Sequence, residues 1–197
     1  MDIVLYYSPT SNCSLRVKWV FDYKGIDYKL VDVSAVDSDH VFFSLSPYGY
    51  VPIVTVDDEV LSESMAIAEF AEDSFGEPTL FPGNSLNRAR IREVCEFVNS
   101  TIHPAQNSSI LRFLNPGLSD AERVELRINW INHCLDRLKP RLWKVSQFAV
   151  GTNFSLADIF LFEICVKLVS LGGELSNDYA QYRGFIESSG FRTGSKR

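Results

Sequence analysis

The chain has 197 residues, of which 46% are hydrophobic and 22% are charged, and its formal net charge is −6. This composition excludes intrinsic disorder, and no apolar stretch approaches the roughly 20 residues that a membrane-spanning helix needs. The first residues lack the basic segment of a signal peptide, so we expect a cytoplasmic protein.

Acidic residues are concentrated in the first part of the chain. Residues 1–80 contain 4 Lys/Arg and 14 Asp/Glu, whereas residues 81–197 contain 15 Lys/Arg and 11 Asp/Glu. An acidic chain is not typical of a general nucleic-acid-binding protein. The basic second part can attract small anions, or it can complement the acidic first part.

Strand and helix patterns alternate over the first eighty residues, and only helical patterns follow. The first part predicts the order βαβαββα, with strand 3–7, helix 13–24, strand 28–33, helix 39–45, a hairpin of 53–56 and 60–62, and helix 63–73. The second part predicts helices over 85–114, 119–147, 155–171 and 178–188. A Gly- and Pro-containing linker at 75–84 separates them. We therefore predict an α/β domain over 1–78 and an all-α domain over 85–197.

The loop before the first helix contains the first candidate site. Ser11 lies where unpaired helix N–H groups and the positive end of the helix dipole favour an anion. Its hydroxyl can cap the helix, or it can donate to a bound thiolate and lower the pKa of that thiol. Cys13 is either a reactive thiol or a buried first-turn residue. Arg16 can pair with an incoming anion or with an acidic neighbour.

The segment 47–52 contains the second candidate site. Val51 precedes Pro52 at the start of a strand, which makes this peptide bond a candidate cis bond. A cis bond here would turn the backbone N–H and C=O of Val51 towards an extended peptide. An ordinary proline at the end of a loop explains the same residues.

The junction of strand and helix at Glu63 and Ser64 is the third candidate site. The Ser64 hydroxyl and adjacent backbone N–H groups suit a carboxylate, and Glu63 suits an ammonium group, so together they match the two ends of an amino acid. Helix capping alone is the competing interpretation.

The spacing of Ser155 and Asp158 is that of a capping box, which we interpret as structural. Four cysteines and three histidines show no metal-ligand spacing, so no metal site is expected. Cys95, Cys134 and Cys165 lie in apolar helical patterns and are expected in the core.

Taken in order, these motifs resemble those of the cytosolic glutathione transferases across essentially the whole chain. Ser11-Asn-Cys13-Ser-Leu-Arg16-Val17 is similar to the zeta-class signature Ser-Ser-Cys-x-x-Arg-Val, and the segment 99–107 resembles a zeta-class segment in the fourth helix. The class includes maleylacetoacetate isomerases. The resemblance implies a thioredoxin-like first domain, an all-α second domain, glutathione as cosubstrate and a homodimer.

The resemblance also implies roles for individual residues. Ser11 would hold the glutathione thiolate, with Asn12 and Cys13 in the same loop. The cosubstrate would also contact the residues that follow: Tyr50, Val51 and Pro52 at the cysteinyl unit, and Glu63 and Ser64 at the γ-glutamyl group. A small and partly anionic second substrate would meet Gln106, Asn107, Arg16 and Lys167.

The sequence departs from the class pattern in four ways, of which the last two bear on the second substrate. Asn12 replaces the second serine of the signature, and Glu63 replaces a glutamine. Ser170 falls where the isomerases carry an arginine for the substrate carboxylate, with Lys167 one turn away. Because of Ser170, we favour transfer over strict isomerisation. The chain also ends early after residue 187, from which we expect an open pocket or an altered substrate.

Two other functions compete with a serine-dependent transferase. In one, Cys13 forms a mixed disulfide with glutathione and the protein is an oxidoreductase or reductive dehalogenase. In the other, the fold is kept in a non-catalytic binding or regulatory protein.

Overall fold

Strands and helices alternate over the first part of the chain in the computed structural model, which describes residues 1–46 and 48–191. The described residues divide into unit 1, Met1–Thr79 together with residues 189–191, and unit 2, Leu80–Ser188. The predicted second domain extends over residues 192–197, which lie outside the described residues.

The order of elements in unit 1 confirms the predicted βαβαββα. The elements are β1 Ile3–Tyr7, α1 Asn12–Lys24, β2 Lys29–Asp32, a 3₁₀ turn Val33–Ala35, α2 Phe42–Leu45, β3 Ile53–Val56, β4 Glu59–Ser62 and α3 Ser64–Phe75. The predicted helix 39–45 is shorter than expected because His40 Nδ1 accepts the N–H of Phe42 at 3.1 Å, which starts the helix later. Gly25 ends α1 in the left-handed conformation, with φ of 65°.

The four strands form one sheet in the order β2-β1-β3-β4, with β1 and β2 parallel and the other pairs antiparallel. Side chains alternate between its two faces. Tyr6 packs on one face with Ile53 of β3 and Phe42 of α2. Leu5 points to the opposite face and is fully buried, and α1, which contacts both β1 and α3, lies in the same unit.

Strand register aligns three loops at one end of this sheet. Tyr6 of β1 lies opposite Ile53 of β3, and Ile53 lies opposite Ser62 of β4. The loop after β1, the residues before β3 and the residues after β4 therefore emerge at the same end. These are the three segments that carry the first three candidate sites.

Unit 2 is helical in the residues described. Its helices are α4 Ser85–Glu96, α5 His103–Gln106, α6 Ser108–Leu114, α7 Asp120–Leu138, α8 Leu156–Ser170 and α9 Asn177–Ser188. The predicted helix 85–114 contains a π turn at Phe97–Ile102 and breaks at Asn107, an extended residue that caps α6 by accepting the N–H of Ser109 with its side chain. The predicted helix 119–147 ends at Leu138, since Pro140 lacks an N–H and a 3₁₀ turn follows.

Helix α8 is the centre of unit 2, because every residue from Leu156 to Cys165 is buried. Asp158 accepts the backbone N–H of Ser155 at 2.9 Å and the Ser155 hydroxyl at 3.1 Å, as expected for the capping interaction at this helix start. Within residues 1–46 and 48–191, no helix is both long enough and apolar enough to cross a bilayer.

Candidate functional site

Ser11 is the N-cap of α1 and is partly exposed. Its hydroxyl oxygen accepts the backbone N–H of Ser14 at 3.3 Å. Within the described residues the Ser11 hydroxyl donates no hydrogen bond, so its O–H is available to a ligand. The sequence offered capping and ligand binding as alternatives, but one hydroxyl can do both, because it has one hydrogen to donate and two lone pairs.

Asn12 and Cys13 form the first turn of the same helix. Asn12 is only 4% exposed, and its amide nitrogen has no hydrogen-bond partner within the residues described. Cys13 is partly exposed, and Arg16 Nη1 donates to its sulfur at 3.7 Å. Arg16 is fully buried, so it is a structural neighbour of Cys13 rather than a surface cation.

The remaining cysteines lie in the core of unit 2, as predicted. Cys95, Cys134 and Cys165 are buried. Burial raises the pKa of Cys165 to about 12 and also raises that of Cys134, which suppresses their reactive thiolate forms. Cys13 is thus the partly exposed thiol of the chain. No group of three or more potential metal-ligating side chains occurs in the part of the chain that the structure describes.

The second candidate segment precedes β3. The Val51–Pro52 bond is cis, as predicted. Tyr50 is exposed, and its carbonyl accepts the Ser46 hydroxyl at 2.8 Å, which ties this segment back to the end of α2. The first residue of the predicted motif, Pro47, lies outside the described residues.

The third candidate segment joins β4 to α3. Glu63 is the N-cap residue, has a φ of 69° and makes no side-chain capping bond. Its side chain is exposed, whereas Ser64 is 3% exposed. The Ser64 hydroxyl oxygen has no hydrogen-bond partner among the described residues. A buried hydroxyl without a partner costs free energy, which favours a ligand that hydrogen-bonds to it.

These three segments share the end of the sheet defined by Tyr6, Ile53 and Ser62. Neighbouring strands are about 4.8 Å apart, so the distance from β1 to β4 is about 10 Å. An extended chain rises roughly 3.3 Å per residue, so this distance matches about three residues. The edge can therefore hold a tripeptide-sized ligand, with a hydroxyl donor at Ser11 and an amino-acid end at Glu63 and Ser64.

Two of the predicted second-substrate residues, Gln106 and Asn107, make hydrogen bonds within unit 2. Gln106 is 2% exposed; its amide nitrogen lies 2.9 Å from His103 Nδ1, and its oxygen accepts Arg127 Nη2 at 3.3 Å. The Asn107 oxygen accepts the N–H and the hydroxyl of Ser109 at 2.9 and 2.7 Å. Both amide oxygens therefore already accept hydrogen bonds within unit 2.

Lys167, which is also predicted to meet the second substrate, lies near the end of α8. Lys167 is partly exposed. Ser170, at the position expected for an arginine, is exposed and donates its hydroxyl to the Lys167 carbonyl at 2.8 Å. A serine with this bond supplies no charge for an anionic substrate.

Sequence reasoning missed Arg127 and His103 as partners of Gln106. His103 lies three residues before Gln106, a spacing that brings side chains together on a helix and was a usable signal. Arg127 lies on a different helix, 21 residues away, and its position depends on how α5 and α7 pack.

Comparison with known proteins places this geometry in a family. A family model described as the N-terminal domain of glutathione S-transferase matches residues 5–79. The chain is 33% identical over 170 residues to a maleylacetoacetate isomerase from Pseudomonas aeruginosa, covering 82% of this chain and 78% of that protein. It is 31% identical over 165 residues to a zeta-class glutathione S-transferase from Euphorbia esula, covering 80% of this chain and 72% of that protein.

A solved structure shares the whole fold. It is a maleylacetoacetate isomerase from Anaeromyxobacter dehalogenans 2CP-1, described with bound dicarboxyethyl glutathione and citrate in the active site. It superposes with a TM-score of 0.79 at 28% identity, covering 98% of this chain and 94% of that one.

Proposed function

This chain belongs to the zeta class of the glutathione S-transferase family, and we propose that it activates glutathione with Ser11 for attack on a small electrophile. It is a glutathione-dependent enzyme. The observation that carries the proposed role of Ser11 is its hydroxyl, which accepts the Ser14 N–H and keeps its own O–H for a sulfur anion.

The position of Ser11 supports thiolate stabilisation. A free cysteine thiol titrates near pH ~8.5, so only a few per cent is ionised at neutral pH. A hydroxyl donor at the start of α1 favours the charged form of the thiol, and so do the unpaired N–H groups and dipole of that helix. Lowering the thiol pKa by about two units would make the thiolate the major species at neutral pH.

The other end of the sheet edge supports binding of the γ-glutamyl group. Ser64 has a buried hydroxyl without a partner and stands at the N-terminus of α3, which suits the carboxylate. Exposed Glu63 suits the ammonium group. Val51, with no backbone hydrogen bond in the described residues, is free to pair with the cysteinyl unit. Tyr50, Pro52 and Asn12 complete the proposed contacts.

The thiolate can support two outcomes with an electrophilic carbon. In transfer, a bond forms between sulfur and carbon, and a leaving group departs with the electron pair. In isomerisation, sulfur adds beside a cis double bond, rotation follows, and sulfur leaves again. The relatives named above include maleylacetoacetate isomerases, and we infer transfer as the main activity because Ser170 brings no charge to the position of the class arginine.

A small anionic second substrate is the class we propose. The related isomerase was solved with dicarboxyethyl glutathione and citrate, which carry carboxylates. Residues 81–197 of this chain have 15 basic and 11 acidic side chains, so the second part is favourable to such an anion. Homodimer formation and a cytoplasmic location stay predictions.

A Cys13-dependent reaction is the second candidate, because Arg16 Nη1 donates to its sulfur at 3.7 Å and the thiol is partly exposed. In that reaction the Cys13 thiolate attacks the disulfide of oxidised glutathione, forming a mixed disulfide and releasing one glutathione thiolate. Intact-mass measurement after treatment with oxidised glutathione detects this adduct.

The test compares Ser11→Ala and Cys13→Ala with the parent protein. Glutathione binding, maleylacetone isomerisation, haloacid turnover and conjugation of 1-chloro-2,4-dinitrobenzene are measured for each. We expect Ser11→Ala to lose about a hundredfold or more in kcat, in the range seen on removing one donor to a reacting anion, and Cys13→Ala to stay close to the parent. Full activity in Ser11→Ala, or loss confined to Cys13→Ala, would overturn the assignment of Ser11.

A further inference from the structure

Arg127 of α7 is a partly buried cation without a carboxylate partner among residues 1–46 and 48–191. Its Nη2 donates to Gln106 Oε1 at 3.3 Å, and its Nε is buried with no hydrogen-bond partner. Burial lowers the pKa of the Arg127 guanidinium, because the charged form is poorly solvated there. A partly buried charge left in this state is costly, unless an anion compensates it.

Gln106 fixes where this guanidinium lies. Its oxygen accepts from Arg127, so the other end of the amide, the NH₂ group, faces His103 Nδ1 at 2.9 Å. The NH₂ group must donate there, which makes Nδ1 an acceptor and leaves the His103 proton on Nε2. Because both ends of Gln106 are engaged and the residue is buried, it acts as a support for Arg127 rather than as a free ligand-binding group.

Arg123, one helical turn earlier on α7, also has a buried Nε without a hydrogen-bond partner among the described residues, but its guanidinium contacts a carboxylate. Its Nη1 lies 3.0 Å from Asp120 Oδ1, and its Nη2 donates to the carbonyls of Asn115 and Pro116 at 3.4 and 3.3 Å. Arg123 therefore already has a carboxylate partner within unit 2. Arg127 has the same chemistry on the same helix but lacks that partner.

We propose that Arg127 binds a carboxylate of the second substrate and so sets the preference of the enzyme for anionic electrophiles. This inference rests on the proposed function, and on the family resemblance, which implies that Gln106 meets the second substrate. A guanidinium binds a carboxylate through two parallel hydrogen bonds, and this charge is supplied from α7 in a chain where Ser170 of α8 supplies none.

Direct titration of malonate tests the inference without relying on turnover. Malonate is titrated by calorimetry into the free protein and into the glutathione-loaded protein, and glutathione is titrated separately. Arg127→Met should weaken malonate binding by about tenfold to a hundredfold, the range for losing a charge-assisted hydrogen bond. Arg123→Met is the matched control and should leave malonate affinity unchanged, as should glutathione affinity in both variants.

The variant Arg127→Lys covers the case in which Arg127→Met does not fold. It keeps the charge but loses the planar fork, so we expect malonate affinity between that of the parent and that of Arg127→Met. Kinetics give a second readout, in which Arg127→Lys raises KM for a haloacid and leaves KM for neutral 1-chloro-2,4-dinitrobenzene unchanged.

The outcomes separate this inference from the proposed function. Parent-like malonate binding in Arg127→Met, or no malonate binding by the parent, overturns the role of Arg127. Loss of glutathione affinity together with malonate affinity would assign Arg127 to the cosubstrate carboxylate instead, which also overturns it. If the parent does not bind glutathione but Arg127→Met still loses malonate, the carboxylate site stands and the glutathione-dependent function fails.

Discussion

The hydroxyl oxygen of Ser11 accepts the backbone N–H of Ser14 at 3.3 Å, so Ser11 caps α1 with a lone pair and not with its hydrogen. The cap orients the side chain, and the O–H stays available to a sulfur anion. A single residue thus has a structural and a proposed chemical role that depend on different parts of one group. Substitutions can separate the two.

Ser11→Ala and Ser11→Gly should differ in stability but not in chemistry. An alanine at an N-cap costs about 1 kcal/mol, whereas a glycine costs only a few tenths. Both variants lack the hydroxyl, so both should raise the pKa of bound glutathione by the same amount. Urea unfolding measures the first effect, and ultraviolet titration of the bound thiolate measures the second. A thiolate titration in Ser11→Gly that matches the parent would remove the hydroxyl from the mechanism.

Ser64→Ala should stabilise the free protein or leave its stability unchanged, while weakening glutathione binding. The Ser64 hydroxyl is buried and unpartnered within the described residues, so its removal relieves a desolvation cost of about 1–3 kcal/mol. The same substitution removes a donor to the γ-glutamyl carboxylate, for which we expect about a tenfold loss of affinity.

Thermal unfolding without glutathione and calorimetric titration with it measure the two effects of Ser64→Ala. Ser62→Ala is the control, since Ser62 is exposed at the end of β4, two residues away. A free Ser64→Ala protein that is less stable than the parent by more than about 1 kcal/mol would contradict the idea that this hydroxyl awaits a ligand.

Features set by neighbours in sequence were predictable. The capping pair Ser155 and Asp158 is three residues apart, and the hairpin is marked by Asp57-Asp58-Glu59 between two β runs. Periodicity also gave the order of elements and the buried cysteines. In each case the residues that carry the sequence pattern are close in the chain to the residues whose structure it predicts.

Features that depend on packing between distant segments were not predictable. The π turn after Glu96 divides the predicted helix 85–114 internally, and composition does not encode it. Arg127 reaches Gln106 across 21 residues, and Lys24 reaches Glu72 across 48. The sequence identified Ser64 as a candidate, but only the fold shows that its hydroxyl is buried without a partner.

Lys24→Met should destabilise unit 1 strongly. The Lys24 ammonium group is fully buried; it donates to Glu72 Oε2 at 2.9 Å and to the carbonyls of Gly76 and Pro78 at 2.5 and 3.0 Å. Removing it takes the counter-charge from the mostly buried Glu72 carboxylate, which keeps the Thr79 hydroxyl as a donor, and takes this donor from two carbonyls. Breaking a buried ion pair in this way costs about 3–5 kcal/mol.

Lys18→Met on the same helix is the matched control for Lys24→Met. Lys18 pairs with Asp22 at 2.6 Å near the surface, where such a pair contributes about 0.5 kcal/mol. Urea unfolding of both variants gives the comparison. Similar losses in the two would show that the Lys24 cluster does not behave as a buried, hydrogen-bonded ion pair.

The carboxyl group of Asp158 should make unit 2 less stable as the pH rises through its pKa. Asp158 accepts the N–H groups of Ala149 and Ser155 at 2.7 and 2.9 Å and the hydroxyls of Ser155 and Tyr182 at 3.1 Å each. Burial nevertheless raises the pKa of Asp158 to about 6, and the four hydrogen bonds oppose a larger rise.

The direction of this pH effect follows from proton uptake. An unfolded aspartate has a pKa near ~3.9, so between about pH 4 and pH 6 the folded protein binds a proton that the unfolded chain does not. The resulting stabilisation is fully present below about pH 4 and is lost as the pH rises through 6. Two pKa units correspond to about 3 kcal/mol.

Asp158→Asn isolates the contribution of the Asp158 carboxyl group, because its amide does not titrate. The variant should be less stable than the parent. In the parent both carboxyl oxygens of Asp158 accept hydrogen bonds, whereas the NH₂ group of an asparagine would face those same N–H and O–H donors and could not accept from them. Urea unfolding at about pH 4.5 and about pH 7 measures the difference in unfolding free energy between parent and variant. We expect that difference to be larger at the lower pH; a difference that grows with pH would mean that the hydrogen bonds outweigh burial and lower the pKa of Asp158.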